Sequence, residues 1–423
     1  MKKKLFSLAL GAVAAVVATT GMACSNNNNT VKEQIEFPAY DGIVKVDYSG
    51  VEIPDDFKLG LICLHDEQST YDKNFIDAAK NAVKELGLSV EKNLVMKTNV
   101  PESSECETAA KDLAEQGCNV IFADSFGHEG HVVKAAKEYA NVQFCHATGV
   151  TAKADNAELA NFHNAFASIY EGRYVAGVAA GLKLNEMIAN GEFTKEQAKI
   201  GYVGAYTYAE VVSGYTSFYL GAKSVCPTVT MDVQFTGSWF DIVAEKSAAE
   251  LLIGKGCKLI SQHADSMGAP KACEEAGVPN VSYNGSTYSE CPETFIISSK
   301  IDWTPYFKYI IAQTAKGEAI AKDWCGDLKT GSVALTNIGG AAAEGTLAKL
   351  TQVRKDLAEG KIKVFDTDTF TVDGKKVESK LINEIEVIKN GMFVESDVEL
   401  FRSAPYFELR IDGIKLLNEA YGD

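Results

Sequence analysis

A strand–helix block occurs twice in this chain, at an offset of 139 residues. Ala109-Ala110-Lys-Asp-Leu113-Ala-Glu-Gln-Gly117-Cys118-Asn-Val-Ile121 lies over Ala248-Ala249-Glu-Leu-Leu252-Ile-Gly-Lys-Gly256-Cys257-Lys-Leu-Ile260. In each copy a helical spacing of apolar residues stops at a glycine, and a buried-strand pattern follows. Gly60-Leu61-Ile62 lies over Gly201-Tyr202-Val203 in the same way, and Ala79-Lys80 over Ala222-Lys223 with a small gap. At 423 residues the chain exceeds one ordinary core. Two related α/β lobes account for that length. The expected division is 57–150 plus about 285–327 for lobe one, and 151–284 plus about 328–423 for lobe two.

Alternating strands and helices predict mostly parallel sheets covered on both faces. Such sheets place ligands beyond the carboxyl ends of their strands. Here those ends include His65-Asp66-Glu67-Gln68-Ser69-Thr70-Tyr71, Asp124-Ser125-Phe126, His146-Ala147-Thr148, Tyr206-Thr207-Tyr208, Ser238-Trp239-Phe240-Asp241, Gln262-His263-Ala264-Asp265 and Tyr283-Asn284. Aromatics facing across a cleft, with carboxylates and amides beside them, suit a flat heteroaromatic ring. Stacking supplies affinity and polar edges supply selectivity.

The opening segment has another purpose. Lys2, Lys3 and Lys4 precede a small, apolar run from Leu5 to Ala18, and Gly21-Met22-Ala23 leads into Cys24. This is the pattern of an export signal over residues 1–23, too short and alanine-rich for a permanent span. Cys24 after small residues resembles a bacterial lipobox, which implies lipidation there and a membrane held through that lipid. Met22 and Gly21 depart from the commoner residues of that box. Asn26 to Asn29 then read as part of a flexible tether, with a weakly patterned lead-in to residue 56.

The net charge is −16, and the body beyond residue 23 is more acidic still. That excludes a nucleic-acid partner, which needs a cationic face. The ten cysteines show no CxxC spacing, so buried thiols are expected rather than a zinc ribbon or disulfide scaffold. His128-Glu129-Gly-His131 is the one histidine cluster, and nothing else is spaced to complete a metal site. No GxSxG elbow, Walker loop or HExxH occurs, so neither catalysis nor a cofactor is expected.

Phe144-Cys-His146-Ala147-Thr148-Gly149, Tyr170-Glu171-Gly172-Arg173-Tyr174, Gly201-Tyr-Val-Gly204, Ser238-Trp239-Phe240-Asp241 and Gln262-His263-Ala264-Asp265-Ser266 stand in this order along the chain. Together they resemble the basic membrane protein family of bacterial solute-binding lipoproteins, with an adenine-binding branch the nearest. The resemblance spans about 57–320. It implies a two-lobed type I periplasmic-binding fold and a monomer that delivers a purine base or nucleoside to an ABC permease. It also implies roles for particular residues. Tyr71 and Trp239 would stack on opposite faces of the base, and Phe126 would add an apolar wall. Asp265 would read the base edge. Asn284 falls where relatives carry a ribose-binding Asp, and Lys300 where they carry a Lys. Ser69 stands where the adenine branch tends to have Trp, and Asn284 replaces a carboxylate, which leaves base against nucleoside open. A sugar or signalling-molecule receptor on the same fold is the alternative. Hinges are expected near 149–152, 284–287 and 326–332. Asp373-Gly374 predicts a hairpin, Lys361 to Asp366 a strand, and Arg173 with Glu171 a structural ion pair. Residues 381–400 carry no motif.

Overall fold

A computed structural model of the chain describes residues 33–396 and 402–422. Cys24, the export signal and most of the tether lie outside them.

Two sheets carry the fold. The first contains β1 (Leu59–Ile62), β2 (Leu94–Lys97), β3 (Val120–Ala123), β4 (Gln143–Ala147) and β5 (Phe162–Ala167), separated by helices α1 (Thr70–Glu85), α2 (Val90–Asn93), α3 (Ser104–Glu115) and α4 (Glu129–Glu138). The second begins after α5 (Ile169–Ala189). It runs through β6 (Lys199–Gly204), α6 (Ala209–Val225), β7 (Thr230–Phe235), α7 (Ile242–Gly254), β8 (Leu259–His263), α8 (Gly268–Ala276), β9 (Asn280–Tyr283) and β10 (Phe295–Ile301). Then α9 (Thr304–Lys316) and β11 (Asp323–Gly326) return to the first sheet, and β12 (Val333–Leu335) and α10 (Thr346–Ala358) to the second lobe.

The strand orders are β2-β1-β3-β4-β5-β11 and β7-β6-β8-β9-β10-β12, with the strand Ile414–Leu416 beyond β7. The first five strands of each sheet repeat one winding, all parallel. The duplicated block is α3–β3 in one lobe and α7–β8 in the other. Gly117 and Gly256 hold equivalent positive-φ turns, at 83° and 86°, where a side chain would be strained.

Sheet membership moves two expected boundaries. Phe162–Ala167 belongs to the first sheet and Phe295–Ile301 to the second, so the chain changes lobes one strand later at each place. Hydropathy marks a buried strand without marking its sheet. The crossovers are therefore at residue 168, at 302–303 and at 327–332, the last within the third expected hinge. They lie side by side: Ser168 N donates to Gly326 O (2.7 Å) and Asp302 N to Ser332 O (2.7 Å). Glu171 accepts from Leu328 N (3.0 Å) at this crossover. Arg173 is not its ion-pair partner, because its guanidinium is fully buried against Gln262 O (2.8 Å) and the Tyr283 ring.

Other expectations change as well. Lys361 to Asp366 forms bends and a turn ending in one isolated bridge from Asp366 to Met392, rather than a strand. The lead-in docks on the second lobe: Ile35 and Ile338 exchange backbone hydrogen bonds, and Arg354 lies over Phe37. Val372 and Lys375 bridge around Asp373-Gly374 as a tight hairpin. All nine cysteines among the described residues are free thiols, eight of them buried.

Helices α5 and α6 cross at backbone contact. A Cβ on Gly221 would sit 2.1 Å from Tyr174 O, and one on Gly177 2.0 Å from Phe218 O. On α7, the fully buried Glu245 accepts from Asp241 N (3.2 Å) and Ser266 N (3.2 Å). One carboxyl thereby joins the two loops that carry Trp239 and Asp265. Burial pushes it from 4.5 up to about 7, against the pull of its hydrogen bonds.

Two predictions follow from this packing. Gly221→Ala should destabilise the protein by on the order of 2 kcal/mol, despite the better helix propensity of alanine, read as a lower urea midpoint. A neutral or stabilising effect would contradict the close crossing. The folded Glu245 keeps its proton to higher pH than the unfolded chain does. Its contribution is then complete below pH 4.5 and is lost as pH rises through about 7. Between pH 4.5 and 8 the wild type should lose on the order of 3 kcal/mol more than Glu245→Gln. Parallel stability profiles would contradict that.

Candidate functional site

The carboxyl ends of both parallel sheets open on one cavity of about 240 Å³. Four of the six sequence-expected ligand residues line it: Tyr71, Phe126, Trp239 and Asp265.

Tyr71 is set by the first turn of α1. Ser69 caps that helix, accepting from Asp72 N, and its hydroxyl donates to Asp72 Oδ2 (2.5 Å). The Tyr71 hydroxyl donates to Asp124 O (2.7 Å), and its ring meets the edge of Phe75 at 4.9 Å. Trp239 precedes α7, whose cap Asp241 accepts from Val243 N and Ala244 N. Its indole stands against Tyr206 at 5.1 Å and Tyr208 at 6.1 Å. Phe126 meets Tyr208 at 5.5 Å, across the lobes. Aromatic surface thus forms much of the cavity wall from both sides.

Asp265 is almost fully buried, and its N–H donates to Trp239 O (2.9 Å). Burial raises its carboxyl well above the ordinary carboxylate range. The charges of Asp72 and Glu245 push the same way, and the Asn284 side chain pulls back. Asn284 is buried outside the cavity wall. It is held at a positive φ of 61°, and its carbonyl accepts from Asn74 Nδ2 (2.7 Å). Lys300 is also outside the wall. Its strand β10 pairs it with Ala334 on β12, and the neighbouring Ser299 takes the buried position. The structure does not join Asn284 and Lys300 into a clamp on the cavity.

The lobes touch directly at the start of α1. Thr70 N donates to Asp265 O (3.1 Å), and Asn74 reaches Asn284 O. Both contacts run from lobe one to the loops after β8 and β9.

Several wall residues were not assigned a role from the sequence. Tyr208, His263 and Tyr283 sit at strand ends that the pattern did expose, whereas Glu210 follows in the first turn of α6. Ala404, Pro405 and Arg402 come from the C-terminal segment, which has no recognisable motif. That segment is fixed from both lobes: Ser403 N donates to Asp323 Oδ2 (2.8 Å), and Phe407 stacks on Phe365 at 4.4 Å. Only its tertiary contacts bring it to the cleft.

Beneath the cavity, one donor atom each from Cys63, Asp72 and Asp124 lies within 4.8 Å of the others. Asp72 is committed to His65 N (2.7 Å) and Ser69. Burial and the Asp72 charge push the Asp124 carboxyl well up, and burial does the same to the Cys63 thiol. These groups fit a proton-sharing network better than an ion site. Of the histidine pair His128 and His131, His128 is buried, with Nε2 on Val100 O (2.9 Å).

Among the described residues no helix is long and apolar enough to cross a membrane. The family model described as ABC transporter substrate-binding protein PnrA-like matches residues 60–390. A purine-binding protein of Brucella abortus is 32% identical over 349 residues, covering 80% of this chain and 90% of its own. A Haloferax volcanii protein, TsgA13, named provisionally as an ABC transporter glucose-binding protein, is 32% identical over 234 residues. That match covers 55% of this chain and 56% of its own length. The solved ABC transporter solute-binding protein from Conexibacter woesei superposes with a TM-score of 0.58 at 18% identity, over 73% of this chain and 98% of that one. This last likeness establishes the fold. With the family model spanning most of the chain, the protein belongs to the Bmp family of PnrA-like ABC transporter substrate-binding proteins.

Proposed function

We propose that the protein is an exported receptor that captures a purine base or nucleoside between its lobes and presents it to an ABC permease. The observation that carries this reading is the cavity at the strand ends, walled by Tyr71, Phe126, Tyr208 and Trp239 with carboxyl groups among them. A purine buries two flat faces and offers polar atoms only at its rim. Stacking on an aromatic contributes roughly 1–3 kcal/mol per base, and Asp265 supplies a polar group for the edge. The Brucella relative's name supports the same ligand class.

A sugar is the second reading, favoured by the name of the Haloferax relative. It fits this wall less well. A hexose needs polar partners around its whole perimeter, and any hydroxyl buried without one is costly.

Closure follows from the hinge geometry. Three adjacent crossovers let the lobes rotate, and a ligand between Tyr71 and Trp239 favours the state in which both reach it. Thr70 and Asn74 then lock onto the second lobe, giving the permease a distinct closed surface. We further propose that residues 1–23 are removed on export and that Cys24, lipidated, holds the protein at the outer side of the cell membrane.

Three measurements test these statements. In a thermal-shift panel, a purine at a hundredfold excess over its Kd should stabilise the protein by roughly 2.7 kcal/mol, and glucose should not. A glucose shift without a purine shift would reverse the reading. Trp239→Ala should weaken purine binding about tenfold to a hundredfold, and an unchanged affinity would make Trp239 a packing residue. Mass spectrometry of the protein purified from its native membrane should show a diacylated N-terminal Cys24. An unmodified or uncleaved chain would contradict the anchor.

A further inference from the structure

Most polar groups of the cavity are already committed to the protein. Asp72 is held by His65 N and Ser69, and the Ser125 hydroxyl donates to Glu102 Oε1 (2.6 Å). The Tyr71 hydroxyl is on Asp124 O, the Tyr208 hydroxyl accepts from Gly422 N (2.8 Å), and the Thr148 hydroxyl donates to Ala147 O. Glu210 differs. It lies in the first turn of α6, its side chain is 18% exposed, and it lines the cavity. Its Oε1 is 3.0 Å from His263 Nε2. Its Oε2 has no hydrogen-bond partner among the described residues.

His263 is almost fully buried, and its Nδ1 faces Gly214 on α6 without a partner. The ring proton is therefore assigned to Nε2, where it donates to Glu210. Burial also lowers the histidine's pKa, which keeps the ring neutral. On its other side the imidazole packs on Tyr283 at 4.6 Å, and Arg173 lies 3.3 Å from the centroid of that tyrosine ring. Arg173 is fully buried and makes no ion pair among the described residues. Its charge and that of Glu210 are thus two opposite charges set into one low-dielectric wall.

We propose that Glu210, positioned by His263, is the carboxylate that accepts an N–H of the bound purine. The receptor then selects its ligand by the pattern of N–H donors at the rim as well as by ring shape. This rests on the purine reading above. A carboxylate has only acceptors, so its partner on a purine base is a ring N–H or an exocyclic amine. Loss of such a charge-assisted bond costs roughly tenfold to a hundredfold in affinity.

The test is isothermal titration of the wild type and Glu210→Gln with adenine, 7-methyladenine, 9-methyladenine and N6,N6-dimethyladenine. In the wild type at least one methylation should weaken binding tenfold or more. In Glu210→Gln that penalty should shrink at least fivefold, because the acceptor read by that N–H has changed. A steric clash would give the same penalty in both proteins, and that result overturns the proposal. So does a wild type indifferent to all three methylations, a readout that needs no variant to fold. If no adenine compound binds while glucose does, the purine reading falls and this proposal with it. Tight adenine binding without an altered penalty overturns the role of Glu210 alone.

Discussion

Everything at the cleft depends on how the two parallel sheets are buried. β1, β3 and β9 are buried at every position, so polar side chains have few places to go except the strand ends. Because the strands are parallel, those ends all lie on one side of each sheet. Folding the same winding twice and crossing between lobes at three adjacent points turns the two ends toward each other. The binding chemistry is thus concentrated by topology before any single residue is considered.

The concentration has an electrostatic consequence. Asp72, Asp124 and Asp265 are all nearly fully buried at or under the cavity. They do not all carry charge comfortably. Asp72 is stabilised by hydrogen bonds, whereas burial and neighbouring charge push Asp124 and Asp265 well above the usual range. Protonated carboxyls can donate as well as accept. A wall of this kind offers both donors and acceptors to the edge of a flat ring.

Much of this was legible in the sequence. The repeat around Gly117 and Gly256 exposed the two lobes, and the residues after each apolar run exposed Tyr71, Phe126, Trp239 and Asp265. What escaped has physical reasons. β5 and β10 read as strands, but which sheet a strand joins is decided by pairing across the chain, so two boundaries fell one strand early. Lys300 sits at a strand end, yet its pairing with β12 places it away from the cavity. Arg173 stands beside Glu171 in sequence and suggested an ion pair. On a helix such near neighbours point apart, and Arg173 goes instead to Tyr283. The segment holding Ala404 and Pro405 has no local pattern because its place is set by Asp323 and Phe365, both distant in sequence.

The account's central claim is that ligand bound at the strand ends draws the lobes into the contact made by Thr70 and Asn74. Small-angle X-ray scattering with and without saturating adenine, on the wild type and on Asn74→Ala, tests this most directly. The account predicts a smaller radius of gyration in the wild type with adenine, and a weaker response at the same adenine concentration in the variant. Identical scattering from the free and adenine-saturated wild type would contradict it.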